Sequence, residues 1–121
     1  MKVIDHLIEP ALFNQFARVI LEAKFPWFFV NGKSELQDGL YQFSHLFVDD
    51  GGKIVSNYFK ILLPIINKLN VEKLYRIKAN LTTKKPTNEK APMHIDKREK
   101  GIKTAVYYCN TNNGGTLFQN G

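Results

Sequence analysis

The apolar pattern of this chain changes period, and that change limits what it can fold into. Up to Leu69 the longest apolar stripes recur at helical spacing, whereas from Leu74 onward apolar and polar residues alternate. Pro10 to Lys24 reads as a helix, with Leu12, Phe16, Ile20 and Ala23 on one stripe, Pro10 in the first turn and Pro26 as the stop. Ile54 to Leu69 reads as a second helix, with Tyr58, Ile61, Leu62, Ile65, Ile66 and Leu69 buried and Pro64 kinking or restarting it. Between them lie two strand candidates, Trp27 to Val30 and Tyr41 to Val48. The second places Tyr41, Phe43, His45 and Phe47 on one face. Asp50-Gly51-Gly52 marks a turn.

From Leu74 to Leu81 the alternation puts Tyr75, Ile77, Ala79 and Leu81 on one side and Arg76, Lys78 and Asn80 on the other. A polar loop from Thr82 to Pro92 follows. Then come a short strand around His94, a charged turn, a strand from Ile102 to Cys109, a turn-forming stretch, and the start of another strand at Thr116-Leu117-Phe118. Helices followed by short strands predict an α+β fold in which helices cover one face of a curved antiparallel sheet. A jelly roll makes the best use of such strands.

The 121 residues fit one domain, with 1–72 as helical support and 73–121 as the first strands of the jelly roll. A hydrophobic fraction of 44% is enough for a core. No apolar run reaches the length of a membrane span, and the N-terminus lacks the apolar region of a signal peptide. Cys109 is the only cysteine, which excludes an internal disulfide and a Cys-rich zinc site and points to a reducing cytoplasm. The net charge is +6, and ten of the seventeen basic residues fall between Lys73 and Lys103. That density suits either a solvated lysine-rich loop or a surface for an anion, including a nucleic-acid backbone. The aromatic cluster Trp27-Phe28-Phe29 is expected to pack in the core, and His6 and His45 to be core residues rather than ligands.

The chemistry concentrates in Met93-His94-Ile95-Asp96. On an extended segment, residues two apart face the same way, so His94 and Asp96 can hold one metal ion from one side. Imidazole and carboxylate are two of the three ligands of the facial triad that binds non-haem Fe(II); they also suit zinc or manganese in a cupin-like protein.

His94-Ile95-Asp96, Thr104-Ala105-Val106-Tyr107-Tyr108-Cys109-Asn110 and Asn113-Gly114-Gly115-Thr116-Leu117-Phe118 together resemble the first half of the 2-oxoglutarate and Fe(II)-dependent oxygenase fold. The resemblance is nearest to the prolyl-4-hydroxylase-like branch and its phage-encoded relatives. Phe25-Pro26-Trp27 and Arg76 to Leu81 are similar to the phage-type enzymes. The resemblance implies iron ligation by His94 and Asp96, and contacts to 2-oxoglutarate from Asn80, Thr82, Tyr108 or Tyr107, and Thr116. Thr82 stands where related enzymes often carry a tyrosine contact. It also implies C–H hydroxylation of a peptide or protein side chain, with 2-oxoglutarate as co-substrate and ascorbate as accessory reductant. Nucleic acid is a further substrate class that the basic half would suit.

The family takes its second His, and the Arg or Lys that grips the far carboxylate of 2-oxoglutarate, from later strands. The sequence reading is therefore a C-terminally incomplete dioxygenase that does not turn over alone and whose open strand edges favour self-association. The competing reading is a non-catalytic, basic nucleic-acid-binding β-module in which Tyr75, Tyr107 and Tyr108 stack on bases.

Overall fold

The computed structural model describes residues 2–31, 41–82 and 101–110. Their elements are helix α1 (Pro10–Ile20), strands β1 (Phe28–Asn31) and β2 (Tyr41–Val48), a 3-10 turn (Phe59–Leu62), helix α2 (Leu63–Lys68) and strand β3 (Ile77–Leu81). The strands form one antiparallel sheet in the order β1-β2-β3. The fold is α+β with a small, open sheet. The strand expected around His94 and the one beginning at Thr116 lie outside the described residues.

Helix α1 starts where expected, with Pro10 in its first turn, where the missing N–H leaves no bond unmade. It ends at Ile20, before the expected Lys24. Pro26 disfavours helical geometry at Phe25, and the chain instead turns so that Phe25 enters the core. Phe16 and Ile20 are buried, with Phe13 and Val19 packed beside them. Arg18 in the last turn sits favourably at the negative end of the helix dipole.

The second helix is much shorter than its apolar stripe. Ile54 lies opposite Val48 in an antiparallel bridge, and the Val55 N–H donates to the Phe47 carbonyl at 2.9 Å. β pairing therefore takes the first residues of the expected helix, and helical structure starts only at Phe59. Pro64 begins α2 rather than kinking it, because the first turn needs no N–H there. Leu62 and Ile65 are buried.

Strand β2 is the centre of the sheet. Its register slips between Leu46 and Val48 where it pairs with β3. Such a bulge breaks the period of two locally. Phe47 and Val48 are consecutive, yet both are buried, at 1% and 0% exposure. Beyond Val48 the chain turns at Asp49 to Gly52. The Asp49 carboxylate accepts the N–H groups of Gly51 and Lys53 at 3.0 and 2.9 Å. Gly52 has a φ of 84°, and an added Cβ would lie 2.7 Å from the Leu74 carbonyl oxygen, so this turn needs glycine. The turn thereby packs against the chain before β3, and ladder pairing of β3 starts at Ile77 rather than at Leu74.

The strand expected from Ile102 to Cys109 is not formed: residues 103–106 are all exposed and 102–109 join no ladder among the described residues. Tyr107 packs against Phe13 and Phe16 of α1, at centroid distances of 6.3 and 5.8 Å, and Cys109 also lies against the core. Val106 and Tyr108 face outward.

The core cluster is Ile8, Phe16, Ile20, Phe25, Phe47, Val48, Leu62 and Ile65. Phe47→Ala is expected to cost about 3–5 kcal/mol, the range for an emptied buried aromatic site. Val106→Ala, at 60% exposure, should stay within about 0.5 kcal/mol. Urea unfolding of both variants checks the contrast, and similar midpoints would show that Phe47 is not core.

Candidate functional site

The most organised polar cluster surrounds His45, at a gap along one edge of β2. On that edge β1 covers residues 41–44. The returning segment at Ile54 and Val55 covers Phe47 and Val48. Pro26 explains the gap: just before β1 it has no N–H to give the ladder, so pairing with β2 stops there. His45 and Leu46 lie between the two covered stretches.

The His45 ring bridges this gap. Nδ1 lies 2.8 Å from the Pro26 carbonyl oxygen, which can only accept, so Nδ1 carries the proton. Nε2 is then the acceptor of the neutral ring and receives the Ser56 hydroxyl at 2.6 Å. Ser56 Oγ in turn accepts the Tyr58 N–H at 3.0 Å. Phe25, Phe47 and Tyr58 surround the ring, with centroids at 4.5, 4.6 and 6.0 Å. His45 is 6% exposed, and no buried polar side-chain atom among the described residues lacks a partner. The expectation of a hydrogen-bonded core histidine is met.

An open cleft of about 340 Å³ lies beside this chain of hydrogen bonds. Ser56, His45 and Asn57 line it, together with the apolar side chains of Phe28, Leu46 and Val55. The Ser56 partnership went unrecognised in the sequence because the two residues are eleven apart. The Asp50-Gly51-Gly52 turn was the available signal, since a tight return there carries the chain after Ile54 back along β2.

Only some of the residues singled out for iron chemistry are among the described ones. His94, Asp96 and Thr116 lie outside the described residues. Asn80 is exposed on β3, opposite Ser44, and Thr82 is exposed just past the end of that strand. Of the two tyrosines, Tyr107 turns inward onto α1, and Tyr108 is 51% exposed. No group of three or more metal-binding side chains occurs among the described residues. No helix among them is long and apolar enough to cross a membrane.

Burial raises the Tyr107 hydroxyl above its ordinary range, with the nearby Cys109 adding to the effect. Burial alone pushes the Cys109 thiol up to about 11. The thiol donates a weak hydrogen bond to the Tyr107 carbonyl at 3.7 Å. A thiol kept protonated in this way is a poor nucleophile.

No family model matches the chain, and no match was found among the curated proteins or the solved structures.

Two measurements test the local chemistry. Nitrogen-15 NMR should find a proton on His45 Nδ1; a bare Nδ1 would contradict the bond to Pro26. Cys109 should react slowly with a disulfide reagent at pH 8 in the native protein and rapidly once unfolded. Its folded pKa lies above the unfolded value, so the unfolded state loses its proton first as pH rises. Its contribution to stability is complete below about 9 and lost between about 9 and about 11. Equal thiol reactivity in the native and unfolded states would show that Cys109 is not buried.

Proposed function

We infer that this chain carries part of an Fe(II)- and 2-oxoglutarate-dependent dioxygenase. The observation that carries the reading is His94-Ile95-Asp96 followed by the Thr104 to Asn110 stretch and the Gly114-Gly115-Thr116 turn. The donor set fits ferrous iron: one imidazole nitrogen and one carboxylate oxygen, spaced to bind from one side and to leave other positions open. The α+β fold with an antiparallel sheet is compatible with the helix-supported start of a jelly roll, which is the finer architecture proposed here.

When bound, iron with 2-oxoglutarate supplies the oxidative chemistry for hydroxylating a C–H bond, while the protein binds and orients the reactants. His94 and Asp96 would hold the metal. Thr82 directly precedes the segment that carries them, and Asn80 lies two residues earlier on the exposed face of β3. These two can offer an amide and a hydroxyl to a carboxylate. Tyr107 is committed to α1, so the tyrosine contact is assigned to Tyr108. Thr116 would offer a further hydroxyl. A peptide or protein side chain is the substrate class that the resemblance suggests, with ascorbate as accessory reductant.

A basic nucleic-acid-binding module is the second reading. The exposed Lys78, on the same sheet face as the exposed Phe28, favours it.

Anaerobic titration separates the two. The first reading expects Fe(II)-dependent binding of 2-oxoglutarate, seen as a visible charge-transfer band. His94→Ala and Asp96→Ala should weaken it by more than the roughly 10–100-fold typical of losing a group that only supports a metal ligand. Wild-type protein that binds no 2-oxoglutarate with Fe(II), but binds nucleic acid with steep salt dependence, would replace the first reading with the second.

A further inference from the structure

We propose that Ser56 is a nucleophile activated by His45, and that the adjoining cleft accepts small acyl esters. The proposal does not depend on iron or on His94 and Asp96. Nucleophilic serine sites are recognised by a hydroxyl within hydrogen-bond reach of a base that a third group orients. Here Ser56 Oγ lies 2.6 Å from His45 Nε2, and the Pro26 carbonyl holds Nδ1 at 2.8 Å. That carbonyl sets the tautomer with Nε2 bare, the form a general base needs. It takes the orienting place that a carboxylate often fills.

The surroundings suit the task. Phe25, Phe47 and Tyr58 fix the ring from several sides, so the base is preorganised by packing. Ser56 is only half-buried, and both it and His45 line the cleft. Asn57, next in the chain and also on the cleft, brings a backbone N–H and a carboxamide, the donor types that stabilise an oxyanion. Phe28, Leu46 and Val55 give the cleft an apolar side that fits a short acyl chain. The Tyr58 N–H bond to Ser56 Oγ leaves one lone pair for attack while the hydroxyl proton points to Nε2.

In the step proposed, Ser56 Oγ forms a bond to the ester carbonyl carbon and its proton passes to His45 Nε2. The ester C–O bond then breaks, and the leaving alkoxide takes that proton. Water, deprotonated by the same nitrogen, cleaves the acyl-serine and returns the hydroxyl. No oxidant or metal is involved.

The test uses the wild-type chain in EDTA with a fluorophosphonate probe and p-nitrophenyl butyrate. Mass spectrometry should place the phosphonyl group on Ser56, and Ser56→Ala should abolish both labelling and ester turnover. His45→Gln should slow labelling on the order of 100-fold, the usual worth of a positioned base. Because His45 also joins parts of the fold, a second comparison avoids its removal. Ser56→Cys should be alkylated by iodoacetamide with a pH profile displaced below that of Ser44→Cys, which sits on the same cleft without a bond to His45. Cys109, with its thiol pushed up to about 11, serves as the slow internal reference. Absence of probe on Ser56, together with superimposable alkylation profiles for the two cysteine variants, would overturn the proposal and leave the hydrogen bond as a purely structural link.

Discussion

The described part of the fold depends on the chain of hydrogen bonds through His45. A sheet edge is normally closed by one continuous strand, but β2 has two partial neighbours on the β1 side. Backbone pairing cannot span the break, because Pro26 has no N–H at the point where it would be needed. A side chain with two ring nitrogens on opposite sides can reach both neighbours at once. The imidazole links the approach to β1 with the segment that leads into the 3-10 turn. An aliphatic residue of similar size would fill the space among Phe25, Phe47 and Tyr58 but leave the Ser56 hydroxyl without its acceptor.

The bulge in β2 serves the same arrangement. By slipping the register, it lets Phe47 and Val48 both enter the core. Val48 also meets Ile77 on one side and Ile54 on the other, and so becomes the point where three segments join. The Asp49 turn follows at once and is held by its own carboxylate against two backbone N–H groups. A surface ion pair between Arg76 and Asp50, at 3.7 Å, adds little by comparison. Precision in this region therefore comes from backbone geometry and local hydrogen bonds rather than from surface charge.

The sequence disclosed local patterns better than their lengths. The start of α1, the alternation of Phe43, His45 and Phe47, the turn at Asp50 to Gly52 and the core role of His45 could all be read from spacing and residue type. Three features could not. Helix α1 stops at Ile20 rather than Lys24, and the chain turns to bury Phe25 beside His45. The start of the expected helix at Ile54 belongs to a β bridge, since Ile54-Val55 reads alike as a helical face or as a strand end. Residues 102–109 read as a strand but join no ladder among the described residues; only Tyr107 and Cys109 turn to the core, and residue type alone says nothing about what covers the buried side. His94 and Asp96 were legible as chemistry, but their spatial setting lies outside the described residues. The Ser56–His45 pair was the reverse case, clear in space and hidden in sequence.

The cleft and Asn80 lie on neighbouring strands of one sheet. Ser44, on the cleft, is the cross-strand neighbour of Asn80, the proposed co-substrate contact, and Phe28 completes the same row across three strands. Neighbouring strands are about 4.8 Å apart, so this row places cleft and β3 residues within two strand spacings. The His45 ring faces the other side of β2, toward the core. Chemistry at Nε2 and ligand contact at Asn80 would therefore use opposite faces of the sheet. A bulky residue at Ser44 would crowd the cleft and Asn80 together without touching the imidazole. Any coupling between the sites would then run through the backbone of β2, the strand that the His45 link and the Val48 bulge hold most firmly.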